Sequence, residues 1–257
     1  MKYDFRLDSG DKNTGTVYLP DEYIGEKLPV LIYSHGWGGN RGLGAVLQRV
    51  LEKEIALVSF DYFGCGETGG DYSLMTYRRW KENLHDIVDW IFEQSFADTN
   101  KIGCYGFNSG STSALRLAAE DKRIKYIISV GTCISVHIGM GGGGPAKLLA
   151  DNIEHLQSGG MVKIFGVDFP LDFYLDTIIN APIQKHIVGN IKCPVLFLQG
   201  LEDNTFRCAD ARMAYDLLKY ENVPVKLVEI ENGDHGLDNV ADKASGVIFE
   251  WLDESVL

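Results

Sequence analysis

Three segments of this chain carry residues of the kinds that move protons and acyl groups. Gly106-Phe107-Asn108-Ser109-Gly110 has the glycine spacing of the G-x-S-x-G turn, whose central serine is a nucleophile. Asparagine stands at that centre here. A carboxamide is a poor nucleophile and has no proton that a histidine could usefully remove at neutral pH. Further along, Gly200-Leu201-Glu202-Asp203-Asn204 offers an acid and Asn232-Gly233-Asp234-His235-Gly236 offers a base. In such a set Asp203 orients His235, which acts as general base toward the nucleophile and then as general acid toward the leaving group. The implied chemistry is acyl transfer with its attacking atom replaced.

A fourth segment, Ser34-His35-Gly36-Trp37-Gly38-Gly39, gives a backbone free to turn sharply toward a ligand. The Trp37 amide is read as one oxyanion donor. The Ser109 amide, opening a helix, is read as the other. Two such amides would stabilise a developing oxyanion, usually a large term in acyl transfer. Taken alone, each segment is equally well a turn or a solvated loop; the order of all four gives them weight.

These loops need strands to hold them. Residues 2 to 8 and 15 to 19 alternate in polarity about a Ser-Gly-Asp-Lys-Asn turn, as in an antiparallel hairpin at a sheet edge. Leu28 to Ser34 then reads as a strand, Leu43 to Leu51 as a helix and Ile55 to Phe60 as a strand. The alternation continues with a helix from Thr76 to Gln94, striped by Trp80, Leu84, Ile87 and Ile91. A strand at Lys101 to Tyr105, a helix from Ser109 and a strand at Ile124 to Val130 follow. Pro194 to Gln199, a helix around Ala209 to Lys219, Val225 to Ile230 and a closing helix from Val240 to Leu252 complete the pattern. Such alternation predicts an α/β fold, a mostly parallel doubly wound sheet with an N-terminal antiparallel hairpin. Ligands of such sheets bind at the carboxyl ends of the strands, where all four segments fall.

The pattern breaks once. Ser135 to Asn190 holds the run Gly139-Met140-Gly141-Gly142-Gly143-Gly144-Pro145, which disfavours regular structure, followed by mixed helical patterns. The reading is a core formed by residues 1–134 and 191–257 with a cap insertion over 135–190. Phe165, Phe169, Phe173 and Tyr174 in this segment could line an aromatic or acyl pocket, although packing of a small core is favoured for most of them.

With 257 residues, 45% of them hydrophobic and 23% charged, the chain suits a soluble domain with a sizeable core. Its formal charge of −12 argues against nucleic-acid and anionic-membrane partners, which depend on clustered Lys and Arg. Cys65, Cys104, Cys133, Cys193 and Cys208 are odd in number and widely spaced, as reduced core thiols are. The N-terminus lacks signal-peptide regions and no apolar run reaches membrane-spanning length, so a cytoplasmic location is expected.

Together these residues resemble an α/β-hydrolase over nearly the whole chain, and within that group bacterial cinnamoyl and feruloyl esterases of carboxylesterase type. The match rests on His35-Gly36-Trp37-Gly38-Gly39, on Asp61-Tyr62-Phe63-Gly64-Cys65-Gly66-Glu67, which resembles the family's D-x-x-G-x-G-x-S segment, and on Asp203 and His235. The resemblance implies hydrolysis of small carboxylic esters, with a cap between the sixth and seventh family strands shaping the acyl or aromatic pocket. It implies a small-molecule ester substrate or ligand and no cofactor or metal; the oligomeric state, with a homodimer among the alternatives, stays open.

Gly64-Cys65-Gly66-Glu67-Thr68-Gly69 also satisfies G-x-G-x-x-G after a strand, as a dinucleotide site would. A true fingerprint opens directly into a helix, whereas Gly70-Asp71-Tyr72-Ser73 prolongs the loop here, so nucleotide binding is rejected. His85, His137, His155 and His186 show no H-x-x-x-H spacing with an acid and are read as surface or core residues rather than zinc ligands.

Asn108 leaves three readings. The chain is a carboxylic ester hydrolase nearly inactive as written because the serine is replaced, with asparagine tolerating the backbone angles of the turn. Alternatively it is a binding protein of another class on the same scaffold. In the third, Asn108 deamidates to a carboxylate nucleophile of the epoxide-hydrolase or dehalogenase kind, which a following serine permits and a constrained turn slows. Rescue by Ser109, Ser111 or Cys104 is disfavoured because each projects from a different point.

Overall fold

The computed structural model describes residues 1–132, 144–164, 166–181 and 185–256. Cys133, His137, Phe165, the glycines at 139 and 141 to 143, and the side chain of His186 lie outside the described residues.

Strands β1 (Lys2–Arg6) and β2 (Thr14–Tyr18) form the expected antiparallel hairpin. β2 pairs antiparallel with β4 (Ala56–Phe60), which lies parallel to β3 (Leu28–Ser34). β5 (Ala97–Phe107), β6 (Ile124–Val130), β9 (Val195–Gly200) and β10 (Val225–Ile230) continue in parallel, giving the order β1-β2-β4-β3-β5-β6-β9-β10. Between β9 and β6 in the chain, β7 (Val162–Ile164) and β8 (Val167–Phe169) form a separate antiparallel pair. The inner strands are nearly continuous apolar runs because helices cover both faces of the sheet.

On one face, α2 (Tyr77–Phe92) buries Trp80, Leu84, Ile87 and Ile91 beside α3 (Ser109–Glu120) and α8 (Cys208–Tyr220). On the other, α1 (Ala45–Val50) packs on α9 (Ala241–Ser255) through Val46, Leu47, Val50, Ile248, Trp251 and Leu252. Thr76 caps α2, its hydroxyl accepting the Arg79 amide at 3.1 Å, which is why the helix begins where its stripe does. Helix α1 is shorter than its periodicity suggests. Gly44 stays extended, and Asp238, distant in sequence, accepts the Val46 amide at 3.2 Å in place of another turn.

Between β6 and β9 lie α4 (Gly144–Asp151), α5 (Ile153–Gln157), the β7–β8 hairpin, α6 (Leu171–Asn180) and α7 (Lys185–Val188). The hairpin departs from the mixed helical reading of this segment: Gly166 takes a φ of 84° in its turn, and each arm is only three residues long. Gly144 and Pro145 also depart from the irregular reading of the glycine run, since they open α4, where proline suits a first turn. Leu156, Ile164, Phe169, Phe173 and Tyr174 are buried in the same apolar core as Trp80 and Leu84. Among the described residues no helix is long and apolar enough to cross a membrane.

Candidate active site

The chain leaves β3 to build β4 on one side and later places β5 on the other, so a crevice opens where the strand order reverses. The loop after β3 and the turn after β5 meet there. A side chain at Gly36 would lie 2.6 Å from Asn108 Cβ, so the two loops touch with only a hydrogen between them. Gly106 and Gly110 make the turn as tight as the sequence implies. A methyl group at Gly106 would sit 2.5 Å from Ser111 Cα, and one at Gly110 would collide with the Ser34 carbonyl oxygen.

Asn108 occupies the apex with φ 55° and ψ −126°, a positive-φ conformation outside the left-handed helical well and strained for a residue with a side chain. Its Nδ2 lies 2.7 Å from His235 Nε2, and His235 Nδ1 lies 2.8 Å from Asp203 Oδ2. Since an ionised carboxylate can only accept, His235 donates from Nδ1 and accepts the Asn108 N–H at Nε2. The structure therefore brings the three expected side chains into one line, and the amide takes up the lone pair a base would use.

Asp203 follows the last residue of β9 by three positions. Burial pulls its pKa up, but hydrogen bonds from His235, from the Phe206 amide and from Gln199, with the charge interaction of His235, hold it below the ordinary carboxylate value. The Thr205 and Phe206 amides donate to Oδ1 at 2.7 and 2.8 Å, and Gln199 Nε2 to Oδ2 at 2.9 Å. Phe107 and Phe206 pack on the His235 ring at centroid separations of 4.9 and 5.3 Å. Sequence reasoning missed Gln199 and Phe206; a buried glutamine closing the apolar run of β9 was the available signal.

The expected oxyanion donors have different surroundings. The Ser109 amide donates to Asn108 Oδ1 at 2.6 Å, so the side chain at the apex covers it. Trp37 sits in the loop beside Asn108, its ring edge-on to Tyr72, Phe169 and Phe173 at 5.9, 5.5 and 5.4 Å. The next amide, of Gly38, donates to the Tyr72 hydroxyl at 2.8 Å. His35 is fully buried. Burial drives its pKa down to about 4, its Nδ1 donates to the Gly36 carbonyl at 2.8 Å, and its Nε2 accepts the Tyr62 amide at 3.1 Å. It braces the loop as a neutral ring.

The neighbouring hydroxyls and thiol are buried, and one of them is bonded to backbone. Ser111 Oγ donates to the Gly106 carbonyl at 2.7 Å, Ser109 is buried, and burial raises the Cys104 thiol pKa well above its ordinary value. Cys65, Cys104, Cys193 and Cys208 are free thiols, the first three buried.

The G-x-G-x-x-G segment closes on itself: the Gly64 amide donates to Gly69 O at 2.7 Å and the Gly69 amide to Cys65 O at 3.2 Å. Its centre is Asp61, which accepts the Arg41 and Glu67 amides at 2.6 and 2.9 Å and pairs with the Arg41 guanidinium. On the outer face of α2, the ligand atoms of His85, Asp86 and Asp89 come within 4.8 Å of one another, an acid cluster the histidine spacing did not reveal. Arg123 already pairs with Asp89 and with Asp121.

A parallel sheet with its strand-turn-helix apex at the switch point, and an acid and a histidine arriving from later strands, defines an α/β-hydrolase. The chain belongs to the family described as X-Pro dipeptidyl-peptidase (S15 family), whose model matches residues 9–153. An uncharacterised 31.7 kDa protein of Escherichia coli, from the traX-finO intergenic region, is 30% identical over 116 residues, 44% of this chain and 40% of that protein. The chain thus spans about two fifths of the length of that relative. Est1E from Butyrivibrio proteoclasticus, solved with ferulic acid bound, superposes with a TM-score of 0.74 at 19% identity over 94% of this chain and 96% of its own. DcsB, solved with its substrate analogue, gives 0.81 at 18% identity over 100% and 99%.

Proposed function

We propose that this chain carries a serine-hydrolase-type site for small carboxylic esters, acyl or aromatic, arrested because Asn108 holds the nucleophile position. The observation that carries the reading is the unbroken line Asn108–His235–Asp203, with contacts of 2.7 and 2.8 Å, at the sheet's switch point. In this reading a serine at 108 would give its proton to His235 Nε2 while attacking the ester carbonyl. The Ser109 and Trp37 amides would stabilise the oxyanion, and Asp203 would hold the imidazolium. Residues 135–190 are proposed as the cap over this site, a reading supported by Phe169 and Phe173 packing on Trp37.

As written, the chain binds such a ligand without rapid turnover. The test is labelling of Asn108→Ser by a fluorophosphonate, beside the unaltered chain, with the modified residue located by peptide mass analysis. Rapid labelling at 108 in the variant alone is expected. A folded variant that fails to label overturns the reading and favours a ligand-binding pocket of another class. One contact already leans that way: with its oxygen on Ser109 N and its nitrogen on His235, the Asn108 amide satisfies the groups a reacting ester would need.

A further inference from the structure

The contacts of the Asn108 side chain are those an amide substrate would make in a hydrolase. Its carbonyl oxygen accepts the Ser109 amide at 2.6 Å, the donor expected to polarise a scissile carbonyl. Its nitrogen lies 2.7 Å from His235 Nε2, the atom expected to protonate a leaving group, and Asp203 backs that histidine at 2.8 Å. Water can reach the pair: Asn108 is partly exposed, and the His235 side chain keeps 20% of its exposure.

We propose that the site hydrolyses its own Asn108 carboxamide, leaving an aspartate at position 108. As the Asn108 N–H turns off His235 Nε2 and frees its lone pair, water adds to Cγ and gives a proton to that nitrogen. The negative charge gathers on Oδ1 against the Ser109 N–H. The C–N bond then breaks as His235 returns the proton to the nitrogen, and ammonia departs, taking up the acid proton at neutral pH to leave as ammonium. No electrons are transferred, and water is the sole co-reactant. The product is a carboxylate beside His235, a nucleophile of a different class from serine.

Ordinary deamidation runs otherwise, through attack of the following backbone nitrogen, and needs no fold. The chain carries an internal comparison in Asn232-Gly233: the asparagine is exposed, but the Gly233 nitrogen that would attack it is buried and donates to the Ile230 carbonyl at 3.1 Å, so this step is expected to be slow in the fold and faster in urea. The unaltered chain, folded and separately unfolded in urea, is incubated in heavy-oxygen water, and residues 108 and 232 are followed by peptide mass. A gain of about 1 Da beyond the isotope label marks conversion of amide to acid. Position 108 is expected to convert about a hundredfold faster in the folded chain than in the unfolded one, the scale of a positioned acid–base group. The product is aspartate without iso-aspartate. His235→Gln and, as a second variant, Asp203→Asn are expected to slow position 108 while leaving position 232 unchanged.

Persistence of the amide at 108 in the folded chain overturns the proposal. So does an iso-aspartate mixture, or an equal rate in urea, either of which identifies backbone attack. This inference goes beyond the arrested ester site and is tested apart from it. Residue 108 is read in the unaltered chain, whereas the labelling test reads Asn108→Ser, so either can fail alone.

Discussion

Two glycine-rich turns leave neighbouring regions of the sheet's carboxyl edge, Gly106–Gly110 at the end of β5 and Gly64–Gly70 after β4, and they use glycine for opposite ends. In the first, glycines let three backbones approach until one side chain is pushed out at the apex, with the Ser109 amide beside it. In the second, glycines fold the chain inward around the buried Asp61 carboxylate, and the amides of Gly64, Glu67 and Gly69 bond within the loop. A methyl group at Gly66 would collide with Asp61 itself. Glycine spacing alone therefore does not separate a reactive turn from a structural one. What separates them is where the backbone donors point.

The largest expected effect comes from the first turn. Loss of a triad serine costs roughly 10⁶ in turnover, with roughly 10³ to 10⁴ over water persisting from the rest of the site. Asn108→Ser is therefore expected to raise hydrolysis of an activated small ester by at least about 10²-fold over the unaltered chain. Adding His235→Ala should remove that gain. A folded Asn108→Ser that gives no gain would place this turn in the same structural class as the loop at 64–70. Steady-state kinetics on a chromogenic ester decide it.

The second effect is on stability. Gly110→Ala must push apart the loop after β3 and the start of α3, because the colliding atoms are backbone and cannot swing aside. A loss of about 3 kcal/mol or failure to fold is expected, the upper range for overpacking. Asp61→Ala leaves the Arg41 guanidinium without its buried partner and frees the Glu67 amide. Breaking a buried pair costs about 3–5 kcal/mol, but Arg41 keeps some exposure and a contact to Glu67, so about 2 kcal/mol is expected. Urea unfolding measures both. The sharper contrast is functional: in the Asn108→Ser background, Asp61→Ala that still folds should keep its fluorophosphonate labelling. Loss of labelling in a folded double variant would mean the second turn also serves the site.

How much of this was legible differs between the two regions for a physical reason. Strands β3 and β9 and the second half of β5 are apolar runs because both sheet faces are covered, and the edge strand β10 still shows Val225, Leu227, Val228 and Ile230 around Lys226 and Glu229, so their ends, and hence the places of Asn108, Asp203 and His235, could be read directly. The partners that finish the site arrive from far along the chain. Tyr72 reaches the Gly38 amide across 34 residues and leaves no local periodicity to detect, whereas Gln199, four residues before Asp203, stands out as a buried glutamine but its contact depends on its rotamer. Asp238, which sets the start of α1, is separated from Val46 by 192 residues. The three-residue arms of β7 and β8 are too short for a period of two to register. The Asn108–Ser109 contact is nearest in sequence, yet it depends on a rotamer that a motif does not specify.

The smallest effect sharpens a second pair, two aspartates seven positions apart. Asp203 is surrounded by donors, whereas Asp210 in α8 is buried with neither carboxylate oxygen hydrogen-bonded. Burial raises the Asp210 pKa from 3.8 to about 6, Arg207 opposing weakly. For an acid whose folded pKa lies above its unfolded one, the folded state binds the proton more tightly. Its cost is absent below the unfolded value near 3.8, grows through the interval, and is complete above about 6. Asp203 has the opposite sign: its lowered pKa adds stability above 3.8, which is lost as pH falls through the folded value. Asp210→Asn should thus raise the thermal midpoint at pH 8 and leave it nearly unchanged at about pH 3, below the unfolded value of 3.8. Asp203→Asn should lower the midpoint at pH 8 and converge on the unaltered chain in acid. Equal shifts for Asp210→Asn at both pH values would show that removing the carboxylate repacks α8 rather than relieving a buried charge.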